Sequence, residues 1–376
     1  MKVGVPTEIK NHEYRVAITP AGVHELVRHG HPVLIQSGAG VGSSIPDDEY
    51  VAAGATLAPD AEQVWAESDL ILKVKEPIEV EYDRMREGQV LFTYLPLAAS
   101  RACTDALLRR RVTAIAYETV QLPSSDGKGG ALPLLAPMSE VAGRLSTQVG
   151  AYHLMASGGG RGTLMGGVSG VYAAKVVVIG AGVSGMNAAA IALGMQAEVL
   201  LLDRNIDKLR DADRIYQGHL QTVASNSLEV ERAVLDADLV IGAVLVPGAK
   251  APTVVSNELV SRMKPGSVLV DIAIDQGGCF EDSRPTTHAE PTYRVHNSVF
   301  YCVANMPGAV PNTSTYALTN VTLPYVVDLA NHGWKDALRA DPALALGLNT
   351  HAGELVNAPV AQSLGLPHRE LADVLA

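Results

Sequence analysis

The stretch KVVVIGAGVSGMNAAAIALGMQAEVLLLD, residues 175–203, leaves a chain few ways to fold. A run of β-branched residues gives way to Gly180, Gly182 and Gly185, then to Ala, Leu and Met, then to a second apolar run ending on Asp203. That order predicts a buried strand, a tight turn, a buried helix and a neighbouring parallel strand. Gly180 permits the turn, Gly182 lets backbone approach a pyrophosphate, and Gly185 lets helix and strand pack closely. The helix N-terminus, opening at Val183, faces the negative charge, and Asp203 is placed to accept hydrogen bonds from an adenosine ribose diol. GxGxxG alone says little, but strand, glycines, helix, strand and terminal acid together predict dinucleotide binding. Arg204 suits a 2′-phosphate, but Asp203 is better placed and repels one, so the reading is NAD. Residues 176–197 carry no charge and are long enough to span a bilayer, yet the glycines and the switch in composition favour strand running into helix.

The alternation continues on both sides. KVGVP, PAGVHELVRHG, HPVLIQSG, DEYVAAGA, LILKVKEP, LFTYLP, SRACTDALLRRR and VTAIAYETV read as strands separated by short helices, the pattern of crossover units in a mostly parallel sheet. It restarts at Lys175, with ADLVIGAV and SVLVDIAI as further strands and KLRDADRIY, LEVERAVL and NELVSRM as helices. From Asn312 onward the chain reads as helical with no new sheet, which calls for an existing sheet to bury its apolar face. The expected fold class is α/β, two Rossmann-like domains with doubly wound, mostly parallel sheets and a cleft between them. Residues 1–133 plus 312–376 form a substrate domain and 134–311 the NAD-binding domain, with hinges near 130–140 and 305–315. SSDGKGG, residues 124–130, reads as a polar loop or hairpin tip, and SGGGRGTLMGG as a closely packed connector lacking the strand and Lys-Ser/Thr ending of a phosphate loop.

Composition narrows the function. The 376 residues are 47% hydrophobic and 18% charged, which describes a well-cored globular chain long enough for two domains. Lys and Arg number 29 against 40 Asp and Glu, a net charge of -11 that argues against nucleic-acid binding and for small molecules. Cys103, Cys279 and Cys302 are too few and scattered for a disulfide framework, and no His, Cys or acidic group has metal-site spacing, so no metal is expected. MKVGVPTEIK has no signal-peptide core, which points to the cytoplasm. Among the histidines, His12 lies beside Glu13 and Arg15, His153 reads as a hydrogen-bonded core residue and His332 as a helix-end residue.

Isolated polar residues stand just past the strands of the first domain: Glu13 and Arg15, Lys75 and Glu76, Tyr117 and Glu118. Ligands bind outside the carboxyl ends of such strands, and an Arg with a Lys suits a carboxylate beside a carbonyl oxygen. With these residues go longer signatures: GVPTEIKNHEYRVAITPAGV, LKVKEP, LAPMSEVAGRLSTQVGAYHLM, VVIGAGVSGMNAA, VLVDIAIDQGGCFE and YCVANMPGAVPNTSTYALTN. Together they resemble the bacterial L-alanine dehydrogenase family over nearly the whole chain. The related soluble NAD-binding subunit of transhydrogenase fits LKVKEP and LAPMSEVAGR less well.

The resemblance implies reversible, NAD-dependent oxidative deamination of L-alanine to pyruvate and ammonia by a homo-hexamer without membrane or nucleic-acid partners. It implies that Arg15 holds the substrate carboxylate, that Lys75 bonds the pyruvate carbonyl oxygen, and that Asp275 orients water or ammonia. Asn305 and Met306 fall near the nicotinamide and substrate, Ser139 near the cofactor phosphates, and Lys208 and Ser225 near the adenosine half. It also implies a catalytic histidine at the position of Pro96, which has no ionisable group. Loss of a general acid/base costs ~10²–10⁴-fold, so the enzyme is expected to be slowed. Tyr94, on the same face as position 96 if the strand continues, is a candidate substitute donor. The alternatives are an NAD(H)-binding relative without chemistry, acting as sensor or partner, and a transhydrogenase-like subunit.

Overall fold

The structure, a computed structural model, describes residues 1–123, 130–244 and 251–376. All but the last residue of SSDGKGG thus lies outside the described residues. The chain divides into two compact units, Met1–Met138 with Val310–Ala376, and Ser139–Ala309. In chain order the first unit begins with strands β1 (Val3–Val5), β2 (Val33–Gln36), β3 (Thr56–Ala58), β4 (Leu70–Leu72), β5 (Val90–Thr93) and β6 (Thr113–Ala116). The second holds β7 (Lys175–Ile179), β8 (Glu198–Asp203), β9 (Gln221–Ala224), β10 (Leu239–Gly242), β11 (Val268–Asp271), β12 (Thr292–Val295) and β13 (Ser298–Tyr301). The chain then returns to the first sheet with β14 (Leu348–His351) and β15 (Glu354–Leu355).

In the first unit the sheet runs β15-β14-β6-β5-β4-β1-β2-β3, parallel from β3 to β6. Strands β1, β4, β5 and β6 are buried along their whole length, as helices on both faces require. The helices start where the side chains cap them: Thr19 accepts from Gly22 N ahead of Pro20–Arg28, and Asp60 accepts from Gln63 N ahead of Ala61–Glu67. Strand order reverses between β1 and β4, so the segments following these two strands flank the crevice of a doubly wound sheet.

The C-terminal part departs from the all-helical expectation. Pro311–Ala340 is helical but breaks at Gly333 (φ 75°), the glycine of NHGW beside His332. Beyond it β14 pairs antiparallel with β6 and with β15, turning through Ala352 and Gly353, both at positive φ. Four residues are too few to show a strand period, and burial between β6 and β15 rather than alternation selects the conformation.

The second unit orders its strands β12-β13-β11-β10-β7-β8-β9, all parallel except β12. Helix Val183–Gly194 buries Gly185, Ala188, Ala189 and Ala192, one stripe of small residues spaced for close approach to the sheet. The expected strand SVLVDIAI stops at Asp271, and Ile272–Gln276 coil into a 3₁₀ turn because the Asp271 carboxylate accepts from Ala273 N at 2.9 Å.

Candidate active site

At the glycine turn the backbone does what the sequence requires. Gly180 sits at φ 109°, and a side chain there would strike the Ala243 carbonyl. A Cβ on Gly185 would be driven into the Gly180 carbonyl oxygen, so no larger residue lets helix Val183–Gly194 approach β7 this closely. A Cβ on Gly182 would meet nothing within 4 Å: the turn faces open space at the helix N-terminus. Exposed Val183 opens the helix beside it.

Asp203 ends β8 and ties the turn together. Its Oδ2 accepts from Ala181 N at 2.7 Å and its Oδ1 from Asn205 N at 2.8 Å. Lys208 Nζ, on helix Ile206–Tyr216, lies 3.9 Å from the same carboxylate, and Ser225 follows β9 with its amide on the Asp203 carbonyl. Strand order reverses at β7, and the glycine turn lies at its carboxyl end. A crevice of this kind fits NAD: open space before the helix N-terminus for phosphates and a strand-end acid for a ribose.

Elsewhere in the second unit Asp275 is exposed on the Ile272–Gln276 turn. The Gln276 side-chain oxygen beside it is buried without a hydrogen-bond partner among the described residues. Asp271, which the sequence reading passed over, anchors that turn: it is buried, with Cys279 N at 2.8 Å and the Ser283 hydroxyl at 2.5 Å on Oδ2. Burial raises its carboxyl despite these bonds. The second acid of DIAIDQ is therefore presented and the first is structural. Asn305 adopts left-handed backbone (φ 58°), its carbonyl accepting from His288 Nε2 at 3.2 Å, and Met306 is buried in the next turn. Ser139 is half-buried on helix Ala136–Leu154.

In the first unit a cluster of buried charge lies past β1, β4 and β6. Arg15 is only 2% exposed and forks onto Glu13, Nε to Oε1 at 2.7 Å and Nη2 to Oε2 at 2.6 Å, while Nη1 reaches Met138 Sδ at 3.0 Å. Burial works against the Glu13 carboxylate, but Arg15, and after it Lys75, outweigh burial and hold it below the usual range. The following amide, Val16 N, is held by Thr315 Oγ1 at 3.1 Å, so the Pro311–Ala340 helix helps aim Arg15.

Lys75 is held from behind by Glu8, whose Oε1 accepts from Val74 N at 2.6 Å and Lys75 N at 3.4 Å. The other Glu8 oxygen meets Lys73, which bridges to Glu81 at 3.0 Å on each side and stays charged between them although 1% exposed. A buried lysine between two acids makes a rigid floor under Lys75. Its one legible signal is Lys73 standing directly after the apolar β4.

Around position 96 the structure corrects the expectation. The strand ends at Thr93, so Tyr94 and position 96 do not share a continuing strand face: Tyr94 is buried and Pro96 exposed. Pro96 is the centre of an inverse γ-turn (φ −75°, ψ 60°), with Leu97 N donating to Leu95 O at 2.7 Å. The Tyr94 hydroxyl donates to Leu134 O at 2.6 Å, and burial, against the pull of Arg15, raises the phenol above its usual range. A proton so committed is poorly available to a substrate. Glu118 holds the turn: both its oxygens accept from Leu95 N, at 2.9 and 3.0 Å.

Among the other expected features, His153 Nδ1 lies 3.0 Å from Gly158 O, and the three cysteines are buried. No group of three His, Cys, Asp or Glu among the described residues could hold a metal ion, and no helix of the described residues is long and apolar enough to cross a membrane.

Two doubly wound sheets, one with a dinucleotide crevice and the other with an Arg and a Lys at its switch point, define a nucleotide-dependent enzyme acting on a small anionic substrate. Comparison makes the class particular. Family models described as "Alanine dehydrogenase/PNT" match residues 4–142 (N-terminal domain) and 146–358 (C-terminal domain), and the chain belongs to that family. It is 66% identical over 376 residues to the alanine dehydrogenase of Mycobacterium tuberculosis (strain CDC 1551 / Oshkosh), covering all of both chains. A solved L-alanine dehydrogenase superposes with a TM-score of 0.93 at 52% identity, covering 97% of this chain and 99% of that one. A transhydrogenase from Sinorhizobium meliloti superposes with a TM-score of 0.79 at 25% identity, covering 95% and 99%.

Proposed function

We propose that this chain is an NAD-dependent L-alanine dehydrogenase, interconverting L-alanine plus water with pyruvate plus ammonia. The observation that carries this is 66% identity along the entire chain to an alanine dehydrogenase, against 25% to the transhydrogenase. NAD, when bound, supplies the two-electron acceptor at its nicotinamide.

The site roles are those the family resemblance implies, and the chemistry of Arg15 and Lys75 suits theirs. Arg15, held rigid and charged by Glu13, takes the substrate carboxylate, a role the family resemblance supports and a forked guanidinium suits. Lys75, its backbone pinned by Glu8, places a positive charge at the C2 oxygen and stabilises the negative charge that grows there. Asp275 orients water or ammonia, and Asn305 serves substrate and cofactor. Gly180, Gly182, Val183, Gly185 and Ser139 hold the phosphates, Asp203, Lys208 and Ser225 the adenosine half, and Met306 packs by the nicotinamide. Residues 1–133 plus 312–376 serve the substrate and 134–311 the cofactor. The working form is a cytoplasmic homo-hexamer, which the family resemblance supports.

Lys75→Ala tests the assignment. Pyruvate reduction should fall by at least ~10²-fold while NADH affinity stays within about threefold. A comparable loss of NADH binding would place Lys75 in the fold rather than in the chemistry.

A further inference from the structure

Arg15 stands on a stretch that is neither strand nor helix, between β1 and the helix Pro20–Arg28. No ladder of backbone bonds sets its φ and ψ there, so the groups that hold its peptides must come from elsewhere in the fold. Glu13 forks onto the guanidinium but belongs to the same irregular stretch. Two fully buried hydroxyls from outside it close on the peptides on either side of Arg15. They are Ser43, on the short turn Val41–Ser43, and Thr315, on the helix Pro311–Ala340, 272 residues away. Ser43 Oγ lies 3.0 Å from Tyr14 O and 2.8 Å from Thr315 Oγ1, and Thr315 Oγ1 accepts from Val16 N at 3.1 Å.

The donors and acceptors in this group allow one direction. Val16 N can only donate, so Thr315 Oγ1 accepts from it and keeps its own proton to give. A carbonyl can only accept, so the single Ser43 proton goes to Tyr14 O at 3.0 Å or to Pro311 O at 3.2 Å. Thr315 therefore donates to Ser43, and the bonds run from the Val16 amide through Thr315 and Ser43 to the Tyr14 carbonyl. That carbonyl belongs to the peptide entering Arg15 and the Val16 amide to the peptide leaving it, so one circuit sets both backbone torsions of Arg15. We propose that Ser43 and Thr315 form a hydroxyl lock that positions Arg15 for the substrate carboxylate, acting through Arg15 and not on the substrate. This rests on the dehydrogenase reading above.

The surroundings leave the lock little slack. A Cβ on Gly42 would lie 2.7 Å from Tyr14 O, so the turn carrying Ser43 presses on that carbonyl as closely as a glycine permits. Asn312 Nδ2 donates to Ser43 O at 2.7 Å and ties the same turn to the start of the helix a second time. Further along the irregular stretch the Tyr50 hydroxyl donates to Ile18 O at 2.8 Å. Arg15 has its backbone held by hydroxyls and its guanidinium by Glu13. With the circuit open, the torsions of Arg15 must be ordered when a carboxylate arrives, and the penalty falls on substrate binding and not on the cofactor.

The test compares the unaltered enzyme with Thr315→Val, which keeps the shape and removes the hydroxyl, Thr315→Ser, which keeps the hydroxyl, Ser43→Ala, and the double variant Ser43→Ala with Thr315→Val. KM for pyruvate, KM for NADH, kcat and Tm are measured at saturating ammonium. Thr315→Val and Ser43→Ala should each raise KM for pyruvate at least ~tenfold, with KM for NADH within about threefold and a smaller change in kcat. Thr315→Ser should hold KM for pyruvate within about threefold of the unaltered value, and the double variant should lose no more than the worse single one, because either change opens the same circuit. Should Thr315→Val not fold, Ser43→Ala decides by the same criterion. A lowered Tm with KM for pyruvate unchanged, an equal rise in both KM values, or losses that multiply in the double variant overturns the proposal and leaves the dehydrogenase standing. No pyruvate turnover by the unaltered chain removes the dehydrogenase reading, and the positioning role with it.

Discussion

Pro96 stands exposed at the centre of a γ-turn while Tyr94, two residues before it, is buried, and this decides what each can do. Its fixed φ suits the turn, so the backbone accepts proline without distortion. A φ of −75° is open to any residue, so histidine there should fold equally well. Pro96→His is expected to raise pyruvate-dependent NADH oxidation at least ~tenfold, by supplying an exposed, titratable proton donor where the family resemblance implies one. Tyr94→Phe should change turnover by less than about threefold, because the hydroxyl already serves Leu134 O. Steady-state rates of both variants at pH 7 check the pair. A large loss in Tyr94→Phe would restore tyrosine as donor.

The glycine turn contains the experiment that separates packing from binding at the scale of one strand and one helix. Gly185→Ala forces a methyl into the Gly180 carbonyl, so the helix must move off β7, at a cost of roughly 1–3 kcal/mol seen as a lowered Tm. Gly182→Ala has open space in front of it, and its φ of −80° suits alanine, so Tm should hold while NADH affinity falls at least ~tenfold. Fluorescence titration and thermal unfolding of both variants check this. Equal effects on Tm would mean that the turn is only structural.

The same elements show what the sequence could reveal. The stretch from Lys175 to Asp203 was legible because its period, glycines and terminal acid all agree. Strand β9 was not, since QTVA is a half-exposed edge strand without a clear apolar face, and the β12–β13 hairpin turns at His296 and Asn297 without the usual Asn-Gly signal. Arg15 and Lys75 could be picked out at strand ends, but their supports could not. Glu8 reaches Lys73 from 65 residues away, a pairing that only the fold creates. Tyr94 misled because alternation was extended past Thr93, where the strand stops.

At the scale of the molecule, the chain builds one sheet, leaves it for a second unit and returns with the helix Pro311–Ala340 and the β14–β15 hairpin. That return matters to chemistry, because Thr315 on the returning helix fixes the Val16 amide next to Arg15. Arg15 and Lys75 belong to one unit, and the glycine turn, Asp203, Asp275 and Asn305 to the other, and the first unit is assembled from distant stretches of sequence. The agreement with alanine dehydrogenases extends over both units. The most direct measurement is NADH oxidation by the unaltered chain with saturating pyruvate and ammonium, with each omitted in turn and NADPH in place of NADH. An NAD-dependent alanine dehydrogenase should turn over only with both pyruvate and ammonium, and far more slowly with NADPH. NADH oxidation independent of ammonium, or none with both substrates present while NADH still binds, would contradict it.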